Sequence, residues 1–306
     1  MNQDTAADFI TRELHARDSL RLGHKFKLPQ NNGGPGVPTI FPIFTSSCDE
    51  GVVRNGGRRG SSFGPQAILN SLKGFIAPPG NYCLQTNELC STVDDFELSQ
   101  ERSYQSWMAQ LPQWKKGASI LVHLGGGHDH IYPLLRACNS IQGKLSIFNV
   151  DAHTDTRVDS WPHSGTPFRQ FAKVATNPFT LYKYGLHPYS NPPTNFTPLG
   201  KGQMQLCWRT DTGLEQVDHF KRYFDQCDIA IFSLDADALD SSVMEAVSAV
   251  NPDGLQKREL RCMLDAFKLS TASLKIFGIY EYNPLFDNLS QKGQRYLASI
   301  LYYLLF

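Results

Sequence analysis

Short apolar segments alternate with amphipathic segments along most of this chain. This alternation is the sequence feature that most restricts the fold the chain can adopt. The apolar segments are continuous runs rich in Val, Ile, Leu and Phe, as expected for strands covered on both faces. They are Thr39–Phe44, Ser119–Leu124, Leu145–Val150, Leu181–Leu186, Ile229–Leu234 and Leu274–Tyr280. Helical patterns follow most of them, at Pro65–Leu72, His130–Cys138, Leu214–Gln226, Gln256–Lys268 and Arg295–Leu304. The order predicts an α/β fold with a doubly wound, mainly parallel sheet.

The length of the chain and its loop signals bear on domain organisation. The 306 residues leave room for one large α/β domain or two small ones. Gly and Pro are concentrated in Pro29–Pro42, after a polar N-terminal helix, and Pro is frequent in His187–Gln203, a predicted surface loop. Neither stretch divides the chain, so we predict a single domain over residues 1–306 with an N-terminal arm at residues 1–36.

Charge and composition exclude several classes of partner. Lys plus Arg number 29 and Asp plus Glu number 29, so the chain lacks the positive excess of a nucleic-acid or anionic-membrane binder. The N-terminus has no apolar core of a secretory signal, and the longest apolar stretch, the last ten residues, is about half a membrane span. The seven cysteines are scattered and never form CxxC, as is typical of reduced thiols. These patterns predict a cytoplasmic protein with neither nucleic acid nor membrane as partner.

Acids and histidines follow four of the predicted strands directly. They stand in the segments Gly125–His130, Asp151–Arg157, Asp235–Asp240 and Glu281–Pro284. In open parallel sheets, ligands bind beyond the carboxyl ends of the strands, so we expect these side chains to meet at one edge. Buried carboxylates in such a cluster require cations to neutralise them.

Six side chains are candidate metal ligands. They are His128, Asp151, His153, Asp155, Asp235 and Asp237. Five of them have i, i+2 or i+4 spacing after a strand, which points their side chains the same way. The set is rich in carboxylate oxygen, with two imidazoles and no thiolate, and this favours Mn²⁺ over structural Zn²⁺. Two divalent cations would balance the four aspartates and, at about 3.5–4 Å apart, would activate a shared water as a nucleophile.

Each motif alone has a simpler interpretation. A single Asp-x-Asp or Asp-x-His at a strand end is usually an Asx turn or a helix cap. The glycine triplet before His128 is compatible with a phosphate cradle, but it lacks both GxGxxG and GxxxxGK[ST]. We expect His123 and Asp129 to be scaffold residues, and His130 can be assigned either way. Three motifs in this order, each after a strand, together favour the metal site.

The motifs resemble those of the ureohydrolase superfamily of arginase, agmatinase and formimidoylglutamase. Gly-Gly-Gly-His128, Asp-Ala-His-Thr-Asp155 and Ser-Leu-Asp-Ala-Asp237 are similar to its three metal motifs. The segments at residues 57–68 and 281–284 are similar to its upstream and late motifs. The resemblance covers residues 50 to 300 and implies an arginase-like, three-layer α/β/α fold with two Mn²⁺ per chain, assembled as a trimer or hexamer.

The resemblance also implies how the six ligands are shared between the two ions. One Mn²⁺ would be held by His128, Asp151, Asp155 and Asp235. The other would be held by Asp151, His153, Asp235 and Asp237. Asp151 and Asp235 would therefore bridge the pair.

Several details are similar to the formimidoylglutamase branch of the superfamily. An acid follows Gly-Gly-Gly-His128, Arg157 ends the second motif, and Ser-Gly-Thr-Pro-Phe168 and Tyr-Ser-Asn191 follow. The resemblance implies that Arg157 and Asn191 bind substrate, with Arg157 gripping a glutamate carboxylate by two hydrogen bonds. Arg157 can alternatively support the metal aspartates. Glu281 would hold the amidine nitrogens.

Two departures from the superfamily pattern concern the substrate side. Residues 241–246 lack the usual Pro and Gly, so the shape of that loop is expected to differ. His163 stands one residue before the position of the agmatinase histidine.

The resulting prediction is a binuclear Mn²⁺ hydrolase of a linear amidine C–N bond, with Asp155, Glu281 and His163 as catalytic residues. The preferred substrate hypothesis is N-formimidoyl-L-glutamate, which would yield L-glutamate and formamide in histidine degradation. A guanidino substrate that releases urea (agmatine, guanidinobutyrate or arginine) is the alternative. A non-catalytic metal-binding relative is the third interpretation.

Overall fold

The computed structural model describes residues 17–18, 20–25, 39–91, 95–114, 120–212 and 217–306. Eight strands form one sheet, and every pair of neighbours in it is parallel. The strands are β1 Thr39–Ser46, β2 Tyr82–Cys90, β3 Leu121–Gly125, β4 Leu145–Val150, β5 Phe179–Leu186, β6 Gly202–Trp208, β7 Ile229–Asp235 and β8 Leu274–Tyr280. Their order across the sheet is β2-β1-β3-β8-β7-β4-β5-β6.

Helices cover both faces of the sheet. They are α1 Leu22–Lys25, α2 Glu50–Arg54, α3 Gly64–Lys73, α4 Phe96–Trp114, α5 Ile131–Asn139, α6 Pro167–Val174, α7 Val217–Asp225, α8 Lys257–Leu269 and α9 Lys292–Leu305. Helices α3, α7, α8 and α9 pack in one core, and α4, α5 and α6 pack in the other. This arrangement confirms the predicted α/β/α fold with its parallel, doubly wound sheet.

Side-chain alternation along each central strand supplies both cores. In β7, Phe232 packs with the α7–α8 side of the sheet, whereas Ile229 and Ile231 pack with the α4–α6 side. Every residue of β7 is buried, which explains why the strand reads as an unbroken apolar run up to Ser233. Each fully buried aliphatic or Phe side chain stabilises the fold by about 1.5–3 kcal/mol relative to exposure. Burial on both faces therefore stabilises the central strands and also makes them easy to predict from the sequence.

The two strands that the sequence pattern missed lie at the edges of the sheet. β2 and β6 carry polar residues and remain partly exposed, so neither reads as an apolar run. Between β5 and β6, the loop expected at His187–Gln203 is irregular, with two short turns of 3-10 helix, and only its last two residues enter β6. An edge strand pairs with a strand along only one of its two edges and remains partly exposed to solvent, so its sequence can be less apolar.

Helix α4 was also absent from the sequence prediction. Its buried face has helical spacing, but three of the residues on that face are polar: Ser99, Gln100 and Ser103. Trp107 and Leu111 complete that face against the sheet. Since the buried positions are not uniformly apolar, hydrophobic periodicity alone does not reveal this helix.

The remaining expectations concern the ends of elements. Two predicted elements begin outside the described residues: the strand expected from Ser119 and the helix expected from Leu214. Most of the N-terminal arm expected at residues 1–36 also lies outside them. Among the described residues, no helix combines the length and apolar composition that a membrane span requires.

Candidate metal centre

The candidate ligands lie at the carboxyl edge of the four central strands. β3, β8, β7 and β4 are consecutive in the sheet, although they are far apart in sequence. β3 leads to His128, β4 to Asp151, β7 ends with Asp235, and β8 leads to Glu281. The doubly wound topology thus brings together four segments that the sequence shows only as separate motifs.

The turn after β3 depends on close backbone packing. Gly126 donates its amide hydrogen to Ser46 O (2.8 Å) and accepts one at its carbonyl from the Glu281 amide (2.8 Å). A β-carbon at Gly126 would collide with the carbonyl oxygen of Cys48. Glycine is therefore required here, and its contacts fix the ends of β1, β3 and β8 relative to one another.

Two site residues have a left-handed backbone conformation. The φ angle is 50° at Asp155 and 65° at Glu281, and only one other described non-glycine residue has a positive φ. Such conformations cost on the order of 1–3 kcal/mol and persist where surrounding contacts impose them. At Glu281, two hydrogen bonds hold this conformation. The Glu281 amide donates to the Gly126 carbonyl, and the His128 amide donates to Glu281 Oε1 (2.9 Å).

The first cluster, which we call the His128 group, is buried. It consists of His128, Asp151, Asp155 and Asp235. His128 Nδ1 lies 2.8 Å from Asp155 Oδ2, 3.0 Å from Asp235 Oδ2 and 3.4 Å from Asp151 Oδ2. One imidazole nitrogen and three carboxylates thus converge on one small volume.

The second cluster, which we call the His153 group, shares Asp151 with the first. It consists of Asp151, His153 and Asp237. His153 Nδ1 lies 3.1 Å from Asp237 Oδ2 and 3.6 Å from Asp151 Oδ1. Asp151 thus presents Oδ2 to one group and Oδ1 to the other, as a bridging ligand would. Asp235 joins only the His128 group, and its Oδ1 accepts a hydrogen bond from the Asp237 amide (2.9 Å).

The donor atoms fit divalent metal ions. His128 Nε2 lies 2.8 Å from Ser233 Oγ, which can accept a hydrogen bond from an Nε2–H. With the proton on Nε2, Nδ1 has a lone pair for a metal ion. His128 Nδ1 and Asp237 Oδ1 are both buried without a hydrogen-bond partner among the described residues. Buried polar atoms of this kind are rare unless an ion or water satisfies them, and these two face carboxylate-rich groups.

Without metal, the cluster retains protons. Burial alone would lower the pKa of His128, but the adjacent carboxylates of Asp151, Asp155 and Asp235 outweigh it and raise that pKa well above its ordinary value. The charge of Asp237 does the same for the pKa of His153. Metal ions would replace these protons, because an imidazole ligand must be deprotonated.

A cavity of about 310 Å³ opens over the clusters. Its lining includes His153, Asp155, Asp237, Arg157, Asn191 and Glu281. Burial, reinforced by the charge of Asp237, raises the pKa of Glu281 to about 8. The cavity therefore joins the ligand cluster, an acid and a half-exposed guanidinium in a volume suited to a small polar molecule.

Arg157 and Asn191 both line this cavity, but their bonding differs. Arg157 forms an ion pair with Asp159 (Nε to Oδ2, 2.9 Å) and donates from Nη1 to Asn55 Oδ1 (2.6 Å). Asn191 accepts from the Thr154 amide (2.8 Å) and donates to two backbone carbonyls. The Asn191 amide is thus engaged in holding the loop that carries His153 and Asp155, whereas Arg157 has nitrogen donors to spare.

His163 does not line the cavity. Its Nε2 lies 2.7 Å from Asp159 Oδ2, and its Nδ1 accepts from the Gly165 amide (3.0 Å). Since both ring nitrogens are engaged and the residue is buried, we leave His163 out of the proposed chemistry.

His123 and Asp129, which we expected to be scaffold residues, and His130, whose role was left open, are buried outside the two groups. His123 bonds Ser46 Oγ (3.0 Å) and Tyr280 OH (2.9 Å), and His130 Nε2 lies 3.2 Å from Cys48 O. Asp129 lies 3.6 Å from His130 Nε2 and joins neither group.

The loop at residues 241–246 is packed against the protein. Val243, Met244 and Ala246 are buried, and the carbonyl of Ala246 accepts from the Asn283 amide (2.8 Å). The neighbouring residues Ser248 and Ala249 contribute to the cavity wall. The altered sequence of this loop thus supports the segment after β8.

Three polar residues behind the clusters were missed by the sequence prediction. Asn149, Lys183 and Ser233 are buried in β4, β5 and β7 at paired positions of the sheet. A signal was present at Lys183, which is the one charged residue in the sequence FTLYKYGL of β5.

Comparison with known proteins agrees with this geometry. The sequence profile of the arginase family matches residues 42–306. The chain is 29% identical over 278 residues to the formimidoylglutamase of Rhodococcus opacus (strain B4), covering 86% of this chain and 84% of that protein. It is 29% identical over 290 residues to the formimidoylglutamase of Hahella chejuensis (strain KCTC 2396), covering 88% of this chain and 85% of that protein.

The fold also matches a solved structure. The crystal structure of Trypanosoma cruzi formiminoglutamase with Mn²⁺ superposes with a TM-score of 0.76 at 24% identity. The match covers 93% of this chain and 97% of that chain, and it shows the shared fold. Because the profile match extends over most of the sequence, the protein is a member of the arginase family.

Proposed function

We propose that this protein hydrolyses N-formimidoyl-L-glutamate to L-glutamate and formamide, as in histidine degradation. Water adds to the amidine carbon, the bond from that carbon to the glutamate nitrogen breaks, and the nitrogen leaves as the free amine. The family and its formimidoylglutamase members place the chain among hydrolases of C–N bonds in linear amidines. The observation that carries the substrate assignment is that Arg157 and Glu281 line the same cavity as the ligand clusters.

The cofactor in this proposal is a pair of Mn²⁺ ions, one in the His128 group and one in the His153 group. Carboxylate-rich donors with two imidazoles suit Mn²⁺, and the related Trypanosoma cruzi structure contains it. Two such ions, when bound, supply Lewis acidity that lowers the pKa of water.

Proton transfer is assigned to the carboxylates of the cavity. Asp237 directs Oδ2 toward His153, while its Oδ1 has no hydrogen-bond partner among the described residues. Because Asp237 also lines the cavity, its carboxylate can accept the proton of the attacking water and return it to the leaving nitrogen. Asp155, which also lines the cavity, is the second candidate for this role.

Substrate orientation is assigned to Glu281 and Arg157. Glu281 is held at Oε1 by the His128 amide, and an amidinium would favour its ionised form and donate hydrogen bonds to it. Arg157 uses Nε and Nη1 within the protein, and Nη2 makes no bond to a described residue. Nη2 is therefore free to grip a glutamate carboxylate.

The test is an assay of Mn²⁺-loaded protein against N-formimidoyl-L-glutamate, agmatine, 4-guanidinobutyrate and arginine. We expect formamide and glutamate from the first compound and no urea from the others. Urea release from a guanidino compound, without formamide, would replace this proposal with the guanidino hydrolase. Bound metal without turnover of any compound would instead support a non-catalytic relative.

A variant pair tests the role of Arg157. Arg157→Ala should raise KM for N-formimidoyl-L-glutamate at least about tenfold, because a charge-assisted contact to the carboxylate is lost. Arg222→Ala removes an arginine of α7 that lies outside the cavity, and its KM should be unchanged. Equal KM values in the two variants would remove Arg157 from substrate binding.

A further inference from the structure

We propose that Lys183 is a positioning residue of the metal centre, whose fixed positive charge weakens the binding of a divalent cation by the His128 group. The inference rests on the metal centre of the proposed function. It concerns metal affinity, however, and can fail or hold independently of the substrate.

Lys183 lies within the sheet, directly behind the clusters. It is 1% exposed, and its backbone pairs with Asn149 of the neighbouring strand β4. Its side chain points to the α4–α6 face, where the ring of Phe168 lies 4.5 Å from Nζ. A lysine is rarely buried to this extent unless it is paired, so its partners determine what it does.

The partners of Lys183 connect it to the His128 group specifically. Its ammonium donates to Asn149 Oδ1 and lies 3.3 Å from Asp151 Oδ2. Asp151 Oδ2 is the oxygen that faces His128 (3.4 Å), whereas Oδ1 faces His153. Lys183 therefore competes with a metal ion for the electron density of the oxygen that the His128 group needs.

A second path reaches His128 through Asn149. With its Oδ1 held by Lys183, Asn149 donates from Nδ2 to the backbone carbonyl of Ser233 (3.3 Å). Ser233 Oγ bonds the same imidazole nitrogen. Lys183 thus also orients the residues that hold the imidazole from behind.

The charge balance gives the direction of the effect. The four aspartates of the clusters offer four negative charges, which two divalent cations would match. The positive charge of Lys183 reduces the net negative charge of the site from four to three. Binding of the second divalent cation would therefore leave one positive charge in excess in a buried site. Like charges repel strongly where the dielectric constant is low, and the cost falls on the group that Lys183 touches.

The experiment measures Mn²⁺ binding to metal-depleted protein by equilibrium dialysis with metal analysis. We expect wild-type protein to bind two ions in separate steps, and Lys183→Met to bind the second at least about tenfold more tightly. Lys275→Met is the matched control: it removes a lysine from the opposite end of β8, where Nζ bonds the carbonyl of Lys268 (3.0 Å). Unchanged or weaker binding of the second ion in Lys183→Met overturns the proposal.

Two further measurements keep the test decisive if Lys183→Met does not fold. Lys183→Gln retains a donor for Asn149 without the charge and should show the same tightening. In an otherwise wild-type chain, Asp155→Asn should remove the weaker step alone, because Asp155 belongs only to the His128 group. Loss of the tighter step instead, or two equal steps in wild-type protein, contradicts the proposal. Absence of turnover with normal two-step binding would count against the proposed substrate but not against this role of Lys183.

Discussion

The two ligand groups of the metal centre share Asp151, but they differ in depth. His128 is 1% exposed, and the ring of Tyr280 stacks on it with centroids 4.7 Å apart, while Ser233 bonds its far nitrogen. The side chain of His153 is 32% exposed and lines the cavity. Packed surroundings hold the His128 imidazole in place, whereas His153 meets whatever enters the cavity. The difference in depth lies between the two imidazoles, since Asp155 of the His128 group also lines the cavity.

The largest effect is expected where the two groups meet. Asp151→Ala removes the carboxylate that serves both, so both metal ions and nearly all activity should be lost. Metal analysis after gel filtration and the amidine assay measure the two losses. Asp129→Ala is the control, because Asp129 is an equally buried neighbour that belongs to neither group, and it should keep both ions. Two ions per chain and normal turnover in Asp151→Ala would refute the shared ligand.

The next largest effect on metal content and activity is expected from a substitution that changes only one of the two groups. Asp237→Asn should release the ion of the His153 group and keep the ion of the His128 group, because Asp237 belongs to the former alone. Activity should fall at least about a hundredfold, since Asp237 also lies in the cavity wall. Metal content near one ion per chain is the decisive reading. Loss of both ions would show that the two groups do not fill independently.

The stability of the metal-free protein should depend on pH in a defined direction. The pKa values of His128 and His153 are raised by neighbouring carboxylates, and burial raises that of Glu281 to about 8. A group with a raised pKa contributes stability that is present at low pH and is lost as the pH rises through the folded-state pKa. We therefore expect Tm of the metal-free protein to fall as the pH rises from about 4.5, the ordinary pKa of a glutamate, through about 8, the raised pKa of Glu281.

Metal should reverse this trend, because ions replace the protons and bind more tightly as the pH rises. Thermal unfolding with chelator and with Mn²⁺ over the same pH range provides the comparison. A Tm of metal-free protein that rises with pH throughout would contradict the proton-loaded cluster.

The smallest effect tests the support behind the His128 group. Ser233→Ala removes the bond to His128 Nε2 and should weaken the His128 group by about tenfold in metal affinity, with the His153 group unchanged. Ser46→Ala is a matched control, since it removes a similar serine–histidine bond (3.0 Å) at His123, away from the ligands. If both variants bind metal like wild-type protein, orientation of His128 does not depend on Ser233.

The same contrast in depth explains what the sequence could predict. The central strands were predictable because burial on both faces leaves an apolar run, and the six candidate ligands were recognisable because they stand at or shortly after the ends of such runs. The helix α4 was not, because Ser99, Gln100 and Ser103 occupy part of its buried face.

Contacts between distant segments account for the remaining differences. Lys183 meets Asp151 and Asn149 only through the register of β4 and β5, which no local pattern encodes. The engagement of His163 likewise depends on how Asp159 and Gly165 fold back on it. Residue type and spacing therefore predicted which side chains come to the edge of the sheet. They did not predict which of those side chains already have hydrogen-bond partners within the protein.

The strand order has a consequence for the folding of the chain. The His128 group takes its ligands from segments after β3, β4 and β7, and β8 and β7 lie between β3 and β4 in the sheet. Parallel neighbours joined by long crossovers pair slowly, so this group forms only after most of the sheet has assembled. A metal ion would therefore find its complete site only on the folded chain, and its binding there would stabilise the folded protein against unfolding.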